Sequence, residues 1–397
     1  MTHDERYAEH VRAWAAELRA GSTVPWSDFL GATPSIPPTA AIGSLPGAAQ
    51  LELVRRLAGE EEAADLPDFG GLADLVLATP GPGRGLVDVP LPWPGRDAED
   101  GATVGTPPVA PEELPAEELL RICTGVLVRL LSAEPTGPVR RPARPWRPWR
   151  RAFTLLGAPT TVDLVRRALL RQGLREGGAR TTYLVLGGPL EELMAQRWSA
   201  RVRAGAGVRW QRMWRVAAAN DRVPPGIALP TIASHLAEEF DAARVHVVLA
   251  PDAQTSLALV AEILGVQAAP IADRYDGLAT DLLRRVNPVL TLAVGEEARR
   301  DVVARVWPEI AAGESSGPLA APAGQLAWAI GAGERMATAL AGGRYAVHGD
   351  PALLVPTRRP GVRRAPDPDD VLAHALRVVT RAWRRHVAGT DAAKGRG

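Results

Sequence analysis

The chain has 397 residues, enough for one large or two moderate domains with a substantial hydrophobic core. Its 46 basic and 45 acidic residues leave a formal net charge of +1, so no bulk charge draws it to nucleic acid or to a membrane surface. A single cysteine, Cys123, excludes an intramolecular disulfide and a cysteine-cluster metal site, and the only lysine, Lys394 in the tail, excludes lysine chemistry from the folded part.

The N-terminal MTHDERYAEH is charged and has no signal-peptide apolar core, and no apolar run reaches membrane-spanning length, so a soluble cytoplasmic protein is expected. Tyr7, Val11, Trp14, Ala15 and Leu18 share one stripe of a predicted helix over 4–20, stopped by Gly21. Trp26, Phe29 and Leu30 are expected to pack back onto it. A Pro-rich loop over 33–46, a helix over 48–58 and an acidic stretch over 60–65 follow. The spacing of Gly81, Gly83 and Gly85 resembles a phosphate loop, but no Lys-Ser/Thr follows, and a turn accounts for it better. Residues 112–131 form a helix whose buried face carries Leu119, Leu120, Cys123, Val126, Leu127, Leu130 and Leu131. Cys123 is therefore expected to be an inert core thiol.

Composition breaks once, at AEPTGPVRRPARPWRPWRR over 133–151. Proline disfavours helix and central strand alike, so this is an extended linker carrying Trp146, Trp149 and six arginines. Arginine with interleaved aromatics suits phosphates and bases, but a short segment joining two folded regions is better read as a linker, and nucleic acid is not expected as a partner.

The stretch from Phe153 to Trp198 organises the rest. Phe153–Leu156 is a β-run closed by Gly157 and Pro159; Leu164, Val165, Ala168 and Leu169 recur at helical spacing; TTYLVLG over 181–187 is a second β-run ending in Gly-Gly-Pro. Two strands joined by one helix are parallel, and ligands of such sheets sit beyond the strand C-termini, here at 157–161 and 187–191.

A helix over 190–203 bears Arg197 and Arg201 as a basic stripe, and residues 208–218 bring Trp210 and Trp214 among further arginines. The strand ARVHVVLAPD follows a helix over 231–240. His246, set between its valines, is expected to be a satisfied core residue, and Asp252 to cap the helix over 254–264. Helices are predicted over 278–310, with an interruption at Asn287-Pro288, and over 325–340 and 368–388. Residues 345–350 are a short strand or turn. The Gly-Glu-Ser-Ser-Gly run at 313–317 lacks the strand before it that a nucleophile elbow needs.

The order of pieces from 153 to 356 resembles the sulfotransferases that use 3′-phosphoadenosine-5′-phosphosulfate (PAPS), particularly divergent bacterial ones. FTLLG-APTT-VDLVRRALL stands where that family has a strand, a Pro-Lys-Ser/Thr-Gly-Thr-Thr loop and a helix. YLVLG-GP-LEELMAQRW stands where a strand ends in Arg-Asp-Pro, and RVHVVLAPDAQTSLALVAEILGV resembles its third strand and helix. The resemblance implies a degenerate P-loop, sulfotransferase-like α/β fold with the donor at the first turn. It also exposes departures. The family's loop lysine is replaced by Thr160 or deleted, its loop glycine is Val162, its second-turn arginine falls at Gly187 or Gly188, and its helix serine at Ala195. Charge-assisted bonds of roughly 1.5–3 kcal/mol each are thereby lost.

The expected architecture is a mainly helical N-terminal lobe over 1–135, a Pro/Arg/Trp linker over 136–151, an α/β domain with a parallel sheet wrapped by helices over 152–357, and a C-terminal helix with a disordered tail over 358–397. The expected function is that of a non-catalytic partner or scaffold protein without cofactor, metal or catalytic residue, which holds another protein or a second copy of itself. Eleven tryptophans against four phenylalanines support that expectation. In the alternative, a divergent transferase binds PAPS through Gly157, Pro159, Thr160 and Thr161, with Arg166 and Arg197 supplying the charge.

Overall fold

The computed structural model describes residues 3–31, 47–81, 90–94, 108–132, 152–178, 180–271, 276–312, 319–357 and 362–394. The linker with Trp146 and Trp149, most of the glycine-spaced segment at 81–85 and the run at 313–317 lie outside them. Helices in chain order are α1 His3–Arg19, α2 Trp26–Gly31, α3 Ala48–Ala58, α4 Phe69–Leu77, α5 Ala116–Ser132, α6 Pro159–Arg171 and α7 Leu190–Arg203. There follow α8 Trp210–Ala219, α9 Leu229–Glu239, α10 Ala253–Leu264, α11 Gly277–Ile310, α12 Leu326–Ala341 and α13 Pro368–Lys394. The strands are β1 Ala152–Gly157, β2 Arg175–Glu176, β3 Thr181–Gly187, β4 Val245–Leu249 and β5 Ala346–His348.

Two compact units emerge. One is residues 1–137 with 285–310 and 367–397; the other is 138–284 with 311–366. The helical unit is thus discontinuous, where the sequence reading confined it to the first 135 residues. Its recruit α13 explains why: Val371, Leu372, Ala375, Leu376, Val378 and Val379 form an apolar stripe that needs a partner, and α5 supplies one. That helix continues to Lys394, so the expected disordered tail from Gly389 is largely helical.

Within this unit Trp14 and Trp26 are buried at a ring separation of 5.2 Å. Their indole N–H groups donate to Val24 O (3.0 Å) and Pro92 O (2.9 Å). Glu52, with no exposed side-chain surface, accepts from Arg55 and Arg56 on its own helix, which keeps a buried carboxylate paired. Cys123 is fully buried, and burial pushes its thiol up to about 12, as the apolar stripe around it predicts. The expected break in α11 at Asn287-Pro288 falls instead at Gly295 (φ 75°, ψ 170°), because only glycine takes that conformation at little cost, while Pro288 is carried inside the helix.

The α/β unit is built on a five-stranded, wholly parallel sheet in the order β2-β1-β3-β4-β5. The register aligns Leu155, Leu184, His246 and Ala346, so that side chains alternate between two faces. One face carries Phe153, Leu155, Leu184, Leu186 and Val248 into a core with Val162, Val165 and Leu169 of α6 and Leu257, Val260 and Leu264 of α10. Val162 therefore serves packing and turns away from the β1–α6 turn. Leu156, one residue out of phase, points to the other face, where α9 and α12 lie. Strand β2, two residues long, went unread because so short a segment has no period to detect.

Among the described residues no helix is long and apolar enough to cross a membrane.

Candidate functional site

The β1–α6 turn is where a parallel sheet offers a phosphate site: backbone N–H groups at a helix N-terminus face outward and attract an anion. Here they are already engaged. Ala158 is the N-cap and has no capping side chain, and Pro159 takes the first helical position, where its missing N–H costs nothing. The next two N–H groups, of Thr160 and Thr161, donate to Oε1 of Gln196 at 3.0 and 3.1 Å. Gln196 projects from α7, and its Nε2 donates to Thr161 Oγ1 (3.0 Å) and to Glu192 Oε1 (3.1 Å). Both Thr161 and Gln196 are buried. The position of an anion is filled by a neutral amide oxygen of the protein itself.

What remains beside this plug is a gap of about 10 Å³, room for about one water. Its polar lining includes Glu192, Gln196, Asp252 and Ser256, and among the described residues no arginine lines it. Asp252 caps α10 as expected, accepting from Thr255 N at 2.7 Å and Thr255 Oγ1 at 3.0 Å. Gly188 gives close approach rather than ligand access: a Cβ there would stand 2.5 Å from Ala250 O. The anionic groups of PAPS do not fit these residues, since two carboxylates and a donor-saturated amide occupy their place.

The two arginines named by sequence lie elsewhere. Arg166 donates to Asp163 Oδ1 and Glu176 Oε1, each at 2.8 Å, on the flank of α6. The Arg197 guanidinium stands beside Gly226, 3.6 Å from where a Cβ would be. Burial and the neighbouring Arg201 hold it below the usual arginine value. Among the described residues it has no ion-pair partner, and its buried Nε has no acceptor. Of the six positions, Gly157, Pro159, Thr160 and Thr161 form the turn itself, while Arg166 is paired with Asp163 and Glu176 and Arg197 stands at Gly226.

Near Arg197 lies a feature that sequence reading missed. A cavity of about 540 Å³ opens on the face of the sheet that carries Leu156, between α9, α12 and the segment 221–228. Small side chains on α12, Ala332 and Ala339, leave the room, and Met336, Ile232 and Leu236 give it apolar walls. Asp221 begins the segment in a left-handed conformation (φ 43°), which aspartate tolerates better than most residues. Its carboxylate accepts from Trp328 Nε1 (2.9 Å) and Arg335 Nη2 (2.7 Å). Pro-Pro-Gly at 224–226 and the proline in the first turn of α9 were readable as a turn and a helix start; that they wall a cavity was not.

His246, expected to be a satisfied core residue, is half-buried and shares a 3.1 Å hydrogen bond between its Nδ1 and Nε2 of His348 on β5. Burial, and then the second histidine, lower its pKa from 6.5. A lowered folded-state value means that folding favours the neutral ring. The contribution is present above about pH 6.5 and is lost as pH falls below it. The unfolding midpoint of the wild type is expected to drop more steeply from pH 7 to 5 than that of His246→Gln; parallel curves would show that the pair is energetically silent.

Comparison with family models, with curated proteins and with solved structures finds no match to this chain.

Proposed function

We propose that this chain is a non-catalytic protein on a sulfotransferase-like order of elements, working by holding a partner molecule rather than by transferring a group. The observation that carries this reading is Gln196. An incoming phosphate or sulfate would have to displace its amide from two backbone N–H groups, leave Thr161 Oγ1 without its donor, and sit beside Glu192 and Asp252. Each buried polar group left unpaired costs about 1–3 kcal/mol, and like charges add to that. The alternative, a divergent transferase holding PAPS through Arg166 and Arg197, has its cations committed to Asp163 and Glu176 in one case and placed at Gly226 in the other.

Support for a protein as the partner came from the arm at 140–151 and from the surplus of tryptophan. Every described tryptophan is buried or half-buried, so these do not speak for a protein surface, and the cavity offers a concave surface to a smaller partner.

Calorimetry at low salt tests the reading. Adenosine 3′,5′-bisphosphate and ATP are expected to give no binding heat up to about millimolar concentration, where the free energy would be near −4 kcal/mol. A micromolar affinity abolished by Arg166→Ala or Arg197→Ala would restore the transferase.

A further inference from the structure

We propose that the cavity between α9 and α12 binds a small amphipathic anion, an apolar chain or ring bearing one carboxylate. The inference rests on the reading of the chain as a binding protein and names the chemistry of what it holds.

The body of the ligand follows from the walls. Leu156, Val223, Ile232, Leu236, Ala332 and Met336 line the cavity, and its volume of about 540 Å³ falls in the range of sites that enclose a small molecule. Apolar surface of that extent favours an apolar occupant, at roughly 25 cal/mol for each Å² removed from water.

The charge follows from the rim. Asp221 is the one carboxylate in the lining, and Trp328 and Arg335 both donate to its Oδ1. The Arg335 ion pair offsets its charge, so Arg222 leaves the lining net positive. Two guanidinium groups have no ion-pair partner among the described residues: Arg222 lines the cavity, and Arg197 stands against Gly226 of the same wall. Arg197 is also partly desolvated beside Arg201, so an arriving anion relieves a repulsion as well as making a bond. One carboxylate suffices for this rim. A polyanion would carry more charge than two arginines offset, and its bulk would displace the apolar contacts.

The site stands on the face of the sheet opposite the α6–α10 core and shares no lining residue with the closed turn at 157–161. The two inferences therefore fail separately. Nucleotide binding would overturn the non-catalytic reading, and the cavity is tested by different ligands.

Titration calorimetry on the full chain with decanoate, decanol and decyltrimethylammonium is the experiment. Decanoate is expected to bind with micromolar affinity, at least tenfold tighter than decanol, a factor equal to about 1.4 kcal/mol. Decyltrimethylammonium is expected to bind no better than decanol. The Arg197→Gln and Arg222→Gln variants should each lose several-fold affinity for decanoate and none for decanol. Ala332→Phe, which fills the cavity from α12, should abolish binding of both. Should that variant fail to fold, the two arginine variants decide the matter. The proposal is overturned if decanoate does not bind, if decanol or the ammonium binds as tightly, or if binding ignores both arginines.

Discussion

Replacing Gly157 with alanine is expected to destabilise the α/β unit by about 3–5 kcal/mol, near the upper limit for a single substitution. Gly157 ends β1 at φ 97°, and a Cβ there would lie 2.1 Å from the carbonyl oxygen of Leu186 on β3. No real Cβ tolerates that distance, and the obstacle is backbone, so the strands must part. Parting breaks the bond from Ala158 N to Leu186 O (2.9 Å), at the point where α6 is launched. Gly177 provides the control: its φ is 74°, but nothing lies within 4 Å of its added Cβ. Gly177→Ala should therefore cost only the strain of the backbone, about 1–2 kcal/mol. Urea denaturation followed by circular dichroism measures both. Equal costs for the two variants would show that the contact with Leu186 relaxes and that conformation alone requires glycine at 157.

The second large effect is expected at Trp210. Its indole is 1% exposed, lies 5.6 Å from each of Trp198 and Trp214, and donates through Nε1 to Arg364 O at 3.0 Å. Trp214 in turn meets Trp328 edge-on at 6.1 Å. Trp210→Ala removes the middle of this row and leaves Arg364 O without its donor. A cost of about 3–5 kcal/mol is expected, which lowers the unfolding temperature of a unit this size by roughly 10 °C or more. Calorimetric melting of the variant is the measurement. A change below about 1 kcal/mol would mean that Trp198 and Trp214 close over the gap and that the row does not depend on its middle ring.

The same residue shows why the sequence misled. Trp210 and Trp214 stand among Arg209, Arg212 and Arg215, a composition shared by binding surfaces and by helices with one buried side. Burial of the indoles is decided by what α8 meets, and the acceptor of Trp210 is 154 residues away. Arg166 and Arg197 pose the same problem in reverse. Both sit on the helices that follow the two turns, yet helical phase sends one to Glu176 and the other to Gly226.

The sequence by itself determined the parallel frame. The β-runs 153–157, 181–187 and 244–250 became β1, β3 and β4, because apolar period and Gly-Pro punctuation are local signals and strands separated by a helix must run parallel. It also determined that Cys123 is a core thiol and that Asp252 is a cap, both of which follow from neighbours within a few residues. Only the tertiary structure decided how the ends of the frame's strands are filled. Gln196 closes the turn from 35 positions along the chain, on a helix whose orientation no periodicity specifies. The cavity draws on β1, α9 and α12 together, and the space between them depends on side-chain volumes meeting across elements far apart in sequence. The recruitment of α13 to α5 has the same origin, for an apolar stripe announces that a helix needs a partner and leaves the choice of partner to packing in three dimensions.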